Sequence, residues 1–205
     1  MTLVTYSLDE MLGEMSSKFI AKWPEDGNAA FFRAMRLAHT NRLPEGQAVM
    51  DSALTSWRVS ESYKNSAKQR QMIDKAGKRY QALVSDLVDP ASTRVRHWAS
   101  LVAMKSDEPL HEQWYDRWRL GEALLDNNQP ALAMDQIAPM LDMNPRLINV
   151  LLLTVEIKLA EKDPKAARGA LEQAKWALSK ADKDFPPLLK ANELEAKVAE
   201  LEGSF

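Results

Sequence analysis

Prolines in this chain fall mostly where apolar residues restart a helical spacing, and that punctuation constrains the fold more than any other feature. Pro24, Pro44, Pro90, Pro109, Pro130, Pro145, Pro164 and the pair Pro186-Pro187 mark these restarts. In a first helical turn the N–H that proline lacks has no partner anyway, and its φ of about −65° is already helical. Between the prolines, apolar residues recur at the three- and four-residue spacing of a helix face. Glycine is scarce, with seven in 205 residues, and the Asp26-Gly27 pair has no alternating strand pattern beside it. Hairpins of strands are therefore not expected, and about ten helices are.

The first helix opens with Ser7 and Glu10 in a capping-box spacing, then presents Leu8, Met11, Leu12, Met15 and Phe19 on one face. Phe31, Ala34, Met35 and Ala38 mark a second helix, and Met50, Ala53, Leu54 and Trp57 a third that pairs with it. One long helix is expected over 61–87, burying Met72, Ile73, Ala76, Tyr80, Leu83, Val84 and Leu87. After Asp89-Pro90, Val95, Trp98, Leu101 and Val102 line the next, followed by Leu110, Trp114, Trp118, Gly121 and Leu125. Faces at Ala133, Ile137, Met140 and Leu141, at Leu147, Val150, Leu151 and Thr154, and at Ala167, Ala170, Leu171, Ala174 and Leu178 follow in close order. Leu188, Ala191, Leu194, Val198 and Leu201 line a last helix.

Composition narrows the function classes. A chain that is 45% hydrophobic and 27% charged is globular rather than disordered. Without cysteine it has no disulfide, thiolate metal site or thiol nucleophile. The N-terminal stretch carries Asp9, Glu10 and Glu14 before its first base, Lys18, unlike a secretory signal, so a cytoplasmic location is expected. The longest apolar stretch, 148–157, is about half of a bilayer span, so membrane insertion is not expected. A net charge of −2 gives no global attraction to nucleic acid.

Consecutive helical hairpins invite a search for a period, and one appears at 34 residues. Leu120-Gly121, Leu124, Ala133, Ile137 and Pro145 resemble the tetratricopeptide repeat, with Arg117 where that repeat carries Trp. One period later Ala167 and Leu171 repeat Ala133 and Ile137, while Thr154-Val155 replaces Leu-Gly and Ser179 replaces the proline. Ala34, Leu37, Gly46, Met50 and Ala53 resemble the motif more loosely, but Gly46 precedes Ala133 by 87 residues, which is not a multiple of 34. The resemblance implies an all-α fold, a right-handed solenoid of antiparallel helix pairs with an irregular long helix in the middle and a C-terminal capping helix. Its segments are N-terminal helices with a loose hairpin over 1–58, a basic and a connecting helix over 59–106, and regular hairpins with the cap over 107–205, in one continuous domain. It also implies a groove for a protein or peptide partner in a non-catalytic adaptor, chaperone or assembly factor.

Trp114, Tyr115 and Trp118, flanked by Arg117 and Arg119, are the expected partner anchors, although core packing explains three adjacent rings as well. At helical spacing Lys64, Lys68, Lys75, Lys78 and Arg79 form a basic stripe. That stripe supports an alternative reading, a nucleic-acid-associated helical protein, beside the simpler one of a solvated face. Residues 101–144 hold eight acids against three bases while 51–100 hold nine bases against five acids, an asymmetry able to pair within the fold or meet a charged partner. The spacing Glu108-x-x-His111 suits half of a carboxylate-bridged metal site, and His111-Glu112 begins like a zinc-protease helix, but Tyr115 stands where the second histidine belongs. Glu122 and Asp126 are one turn apart, as paired catalytic acids would be, and equally as a solvated helix end is. No phosphate-binding loop or nucleophile elbow occurs, so no cofactor, metal or catalytic residue is expected. The last helix serves either as a cap or, through its apolar stripe, as a homodimer contact.

Overall fold

The computed structural model describes Lys18 and residues 27–204, and every regular element among them is a helix. The helix expected from Ser7 lies outside the described residues. Two compact units make up the chain, Met1–Asp89 and Pro90–Phe205, so the division falls within the 59–106 stretch. No helix among the described residues is long and apolar enough to cross a membrane.

Unit 1 contains α1 (Gly27–His39), α2 (Leu43–Val59), α3 (Glu61–Asn65) and α4 (Ala67–Val88). Its core joins Ala34, Met35 and Ala38 of α1 to Met50 of α2 and to Tyr80 and Val84 of α4. The single helix expected over 61–87 is two, because Ser66 is extended at φ −126° and ψ 116°. The Ser60 hydroxyl accepts from the Tyr63 N–H and the Ser66 hydroxyl from the Gln69 N–H, each at 3.2 Å. Each serine thus caps a fresh helix in place of continuing the old one. Ile73 is buried as expected, whereas Met72 and Leu87 are exposed at 54% and 43%, a correction to the predicted arc.

Unit 2 contains α5 (Ala91–Ala103), α6 (Leu110–Asp126), α7 (Pro130–Met143), α8 (Ile148–Ala160), α9 (Pro164–Ala177) and α10 (Pro186–Glu202). Each packs on the next, and α8 packs on α6 and α10 as well. That position explains its sequence: residues 150–155 and Ile157 are buried, so α8 is apolar nearly all round rather than on one stripe. On α10, Ala191, Leu194 and Val198 are buried in the core with Leu151, Val155 and Leu171, while Asn192, Glu193, Lys197 and Glu200 face outward. The apolar stripe that the sequence offered to a cap or a homodimer is therefore used inside the unit. Ion pairs Arg168–Glu202 at 2.6 Å, Lys175–Glu195 at 2.7 Å and Lys190–Glu156 at 2.9 Å fasten α10 to α9 and α8.

Three hairpins share one turn. Asn41, Asn128 and Lys162 adopt positive φ of 60°, 58° and 59° just after α1, α6 and α8. Behind each, the following N–H reaches back to the preceding helix, Arg42 to Leu37 O at 2.8 Å, Gln129 to Leu124 O at 2.9 Å and Asp163 to Lys158 O at 2.9 Å. This double helix stop uses a left-handed residue to satisfy the last carbonyls. Pro44, Pro130 and Pro164 then open the next helix within its first turn. Small residues let the two helices of a hairpin approach: a Cβ on Gly46 would sit 2.7 Å from Ala34 O, and one on Gly121 would meet Ile137 at 3.0 Å and Leu153 at 3.1 Å.

Candidate functional site

The residues with the most recognition chemistry lie along the α5–α6 pair. The helices run antiparallel, with Arg94 bonding Asp126 at 2.8 Å at one end and Lys105 bonding Asp116 at 2.9 Å toward the other. Arg94–Asp126 also joins the base-rich 51–100 stretch to the acid-rich 101–144 stretch, so part of that asymmetry is satisfied within unit 2.

Along the same helix pair, on both sides of Asp116, sits an aromatic rack. Trp114 and Trp118, one turn apart on α6, stack with centroids 6.4 Å apart and planes 20° from parallel. Tyr115 meets Trp98 and Trp118 edge-on at 6.1 Å and 5.7 Å. The Arg119 guanidinium lies 5.5 Å from the Trp118 ring and 5.9 Å from that of Trp98, and also pairs with Glu122. Arg117 points elsewhere: Nε donates to Gln113 Oε1 at 2.9 Å and Nη1 to Gln136 Oε1 at 3.3 Å, tying α6 to α7. The structure thus brings Trp114, Tyr115, Trp118 and Arg119 together, with Trp98 added from α5, and all four are half-buried. Only Trp98 of the rack is fully buried.

The buried face of α6 is only partly the predicted one. Gly121 is buried as expected, whereas Leu110, Trp114, Trp118 and Leu125 are half-buried, and Gln113, Asp116, Leu120, Ala123 and Leu124 join Gly121 in the interior. A polar cluster turns the helix. Lys105, 8% exposed, reaches the wholly buried Asp116, donates to Glu112 O at 3.2 Å and has Glu108 at 3.6 Å. Gln113 donates its side-chain amide to Glu108 O. Sequence periodicity passed over Lys105, Gln113 and Asp116 because it places apolar residues inside; partners eleven residues apart, one in the α5–α6 turn and one on α6, leave no local signal.

Other expected residues are dispersed. Glu108 turns to Lys105, and His111 lies 3.9 Å from Glu112 on an exposed surface, so the two do not share a site. Among the described residues no three His, Cys, Asp or Glu side chains gather as metal ligands. Asp126 pairs with Arg94 and Glu122 with Arg119. The break at Ser66 places Lys64 on α3, where it pairs with Glu61 at 2.9 Å, and Lys68, Lys75, Lys78 and Arg79 on α4. Lys68 is exposed and Lys75, Lys78 and Arg79 are half-buried; four of the five cations thus share α4, and Lys64 stands apart from them on α3. Arg70 caps the end of α3, donating to Tyr63 O at 3.1 Å and Lys64 O at 2.7 Å.

A scan against protein-family models finds no match to this chain, and searches of the curated proteins and of the solved structures find none.

Proposed function

We propose that this chain is a non-catalytic protein-binding adaptor, chaperone or assembly factor of tetratricopeptide-like design, and that the Trp114–Trp118 rack on α6 receives a segment of its partner. One observation carries the reading. Three hairpins, at α1–α2, α6–α7 and α8–α9, repeat the same left-handed residue, the same backward hydrogen bond and the same first-turn proline. Asn128 and Lys162 stand 34 residues apart and Asn41 precedes Asn128 by 87, the intervals seen between Gly46, Ala133 and Ala167. Helical hairpins stacked on their neighbours offer extended surfaces to other chains. Two stacked indoles, with the Arg119 guanidinium over one of them, Trp118, supply the rigid, low-entropy contacts on which such surfaces depend.

The test is purification of the tagged chain at moderate salt, followed by identification of co-eluting protein. A stoichiometric partner lost from Trp114→Ala and Trp118→Ala, in variants whose far-UV circular dichroism is unchanged, supports the reading. Retention of that partner by both variants refutes the rack as the docking surface.

A further inference from the structure

Unit 2 holds a second recognition surface, away from the α5–α6 rack. Successive helices joined by short loops alternate in direction, so the end of α7, the start of α8 and the end of α9 share one end of the unit. Met143 and Trp176 lie there, exposed at 45% and 61%. Arg146, in the α7–α8 loop, places its guanidinium 4.5 Å from the centroid of the Trp176 ring. Its backbone N–H is held by Asn144 Oδ1 at 3.0 Å, so the loop itself is shaped to present it.

Trp176 is unusual because α9 has already buried Ala167, Ala170, Leu171 and Ala174 in the core. An exposed indole on the outer side of a well-packed helix adds nothing to that core. Nearby chain carries the acids Asp142, Asp182 and Asp184 and the bases Lys180 and Lys183, all exposed, and Arg146 rests on the indole. A guanidinium stacked on a ring keeps its N–H edge directed outward, the geometry for bidentate capture of a carboxylate. Apolar face and cation edge then form a two-part receptor.

We propose that Trp176, Arg146 and Met143 form a docking surface for a protein segment that carries Asp or Glu beside large apolar side chains. The apolar side chains lie on the exposed indole and Met143, and the carboxylate takes the Arg146 edge. Charge complementarity selects this partner over a basic one, since Arg146 repels a cation brought to the same ring. The surface is independent of the rack and stands whether or not Trp114 and Trp118 bind anything.

The test is fluorescence anisotropy of the full chain with a short fluorescein-labelled peptide of Glu, Leu and Phe, beside its counterpart with Lys in place of Glu. The Glu peptide is expected to bind the wild-type chain in preference to the Lys peptide. Trp176→Ala and Arg146→Gln each weaken it by about tenfold, the loss typical of removing one anchor. Arg146→Glu reverses the preference toward the Lys peptide. Binding lost from Trp114→Ala but kept by Trp176→Ala assigns the peptide to the rack and overturns the proposal. No saturable binding, equal binding of both peptides, or affinity unaffected by Arg146→Gln overturns the proposal. A concentration-dependent dimer abolished by Trp176→Ala also overturns it, by giving the face to a second copy of the chain.

Discussion

Lys105→Met tests whether the α5–α6 corner is held by its buried ions. Lys105 is 8% exposed and Asp116 fully buried, 2.9 Å apart, and Lys105 also donates to Glu112 O at 3.2 Å. Removing one member of a buried ion pair costs about 3–5 kcal/mol, because the other keeps its desolvation penalty without its partner. The lower half of that range applies here, since Glu108, the second acid, has a side chain 24% exposed and retains water. A loss of about 3 kcal/mol is expected, which for a domain of this size lowers Tm by roughly 6–12 °C. Lys105→Met/Asp116→Leu removes both charges and is expected within about 1 kcal/mol of wild type, as apolar replacement of a whole pair often is. Guanidinium unfolding followed by near-UV circular dichroism reads the effect locally, because Trp98 and Tyr115 stand beside the corner. A loss below about 1 kcal/mol in Lys105→Met, or a double variant no more stable than Lys105→Met, refutes the reasoning.

Gly46→Ala is expected to cost about 1–3 kcal/mol in urea unfolding, because its Cβ would lie 2.7 Å from Ala34 O and 2.9 Å from the Tyr80 hydroxyl. Gly169→Ala meets nothing within 4 Å inside α9 and should instead stabilise by about 0.5–1 kcal/mol, so equal signs for the two would refute the packing argument. The Tyr80 hydroxyl is buried without a hydrogen-bond partner, so Tyr80→Phe is expected to be neutral or stabilising by about 1 kcal/mol at pH 7. Burial first, and Asp51 second, raise the Tyr80 pKa above its ordinary 10.0. The unfolded chain therefore ionises first, stability falls as pH rises past that value, and Tyr80→Phe should blunt this alkaline loss in pH-dependent unfolding. On the acid side, hydrogen bonds from Lys175 and Arg168 hold the Glu195 and Glu202 carboxyls below their usual 4.5. The stability they give is present at neutral pH and lost as pH falls through the lowered values, so the protection of α10 amides, measured relative to their intrinsic exchange rates, should fall there, and less steeply in Glu195→Gln/Glu202→Gln.

The hairpins were legible because local chemistry writes them. Pro44, Pro130 and Pro164 announce helix starts, and Ala133, Ile137, Ala167 and Leu171 fall on the expected inner faces and are fully buried. The break at Ser66 was legible too, in the Ser66-x-x-Gln69 capping-box spacing, but the apolar period running through 61–87 outweighed it. The rotation of α6 was not. Trp114 and Trp118 fit a core period, and they were displaced to its edge by Asp116 and Gln113, whose burial depends on Lys105 and Glu108 beyond the helix start. The Arg146–Trp176 contact likewise depends on the fold, since the chain between them must run out along α8 and back along α9 before the two meet.

The nearly uniform apolar circumference of α8 also sets a schedule. During synthesis α6 and α7 precede it and α9 and α10 follow, so α8 emerges with only part of its surface covered. Until the later helices arrive, Leu152, Val155 and their neighbours remain open to solvent, and a partly made unit is an aggregation hazard. Translation pauses between α8 and α10 would prolong that exposure, and a truncation after Ala160 would make it permanent.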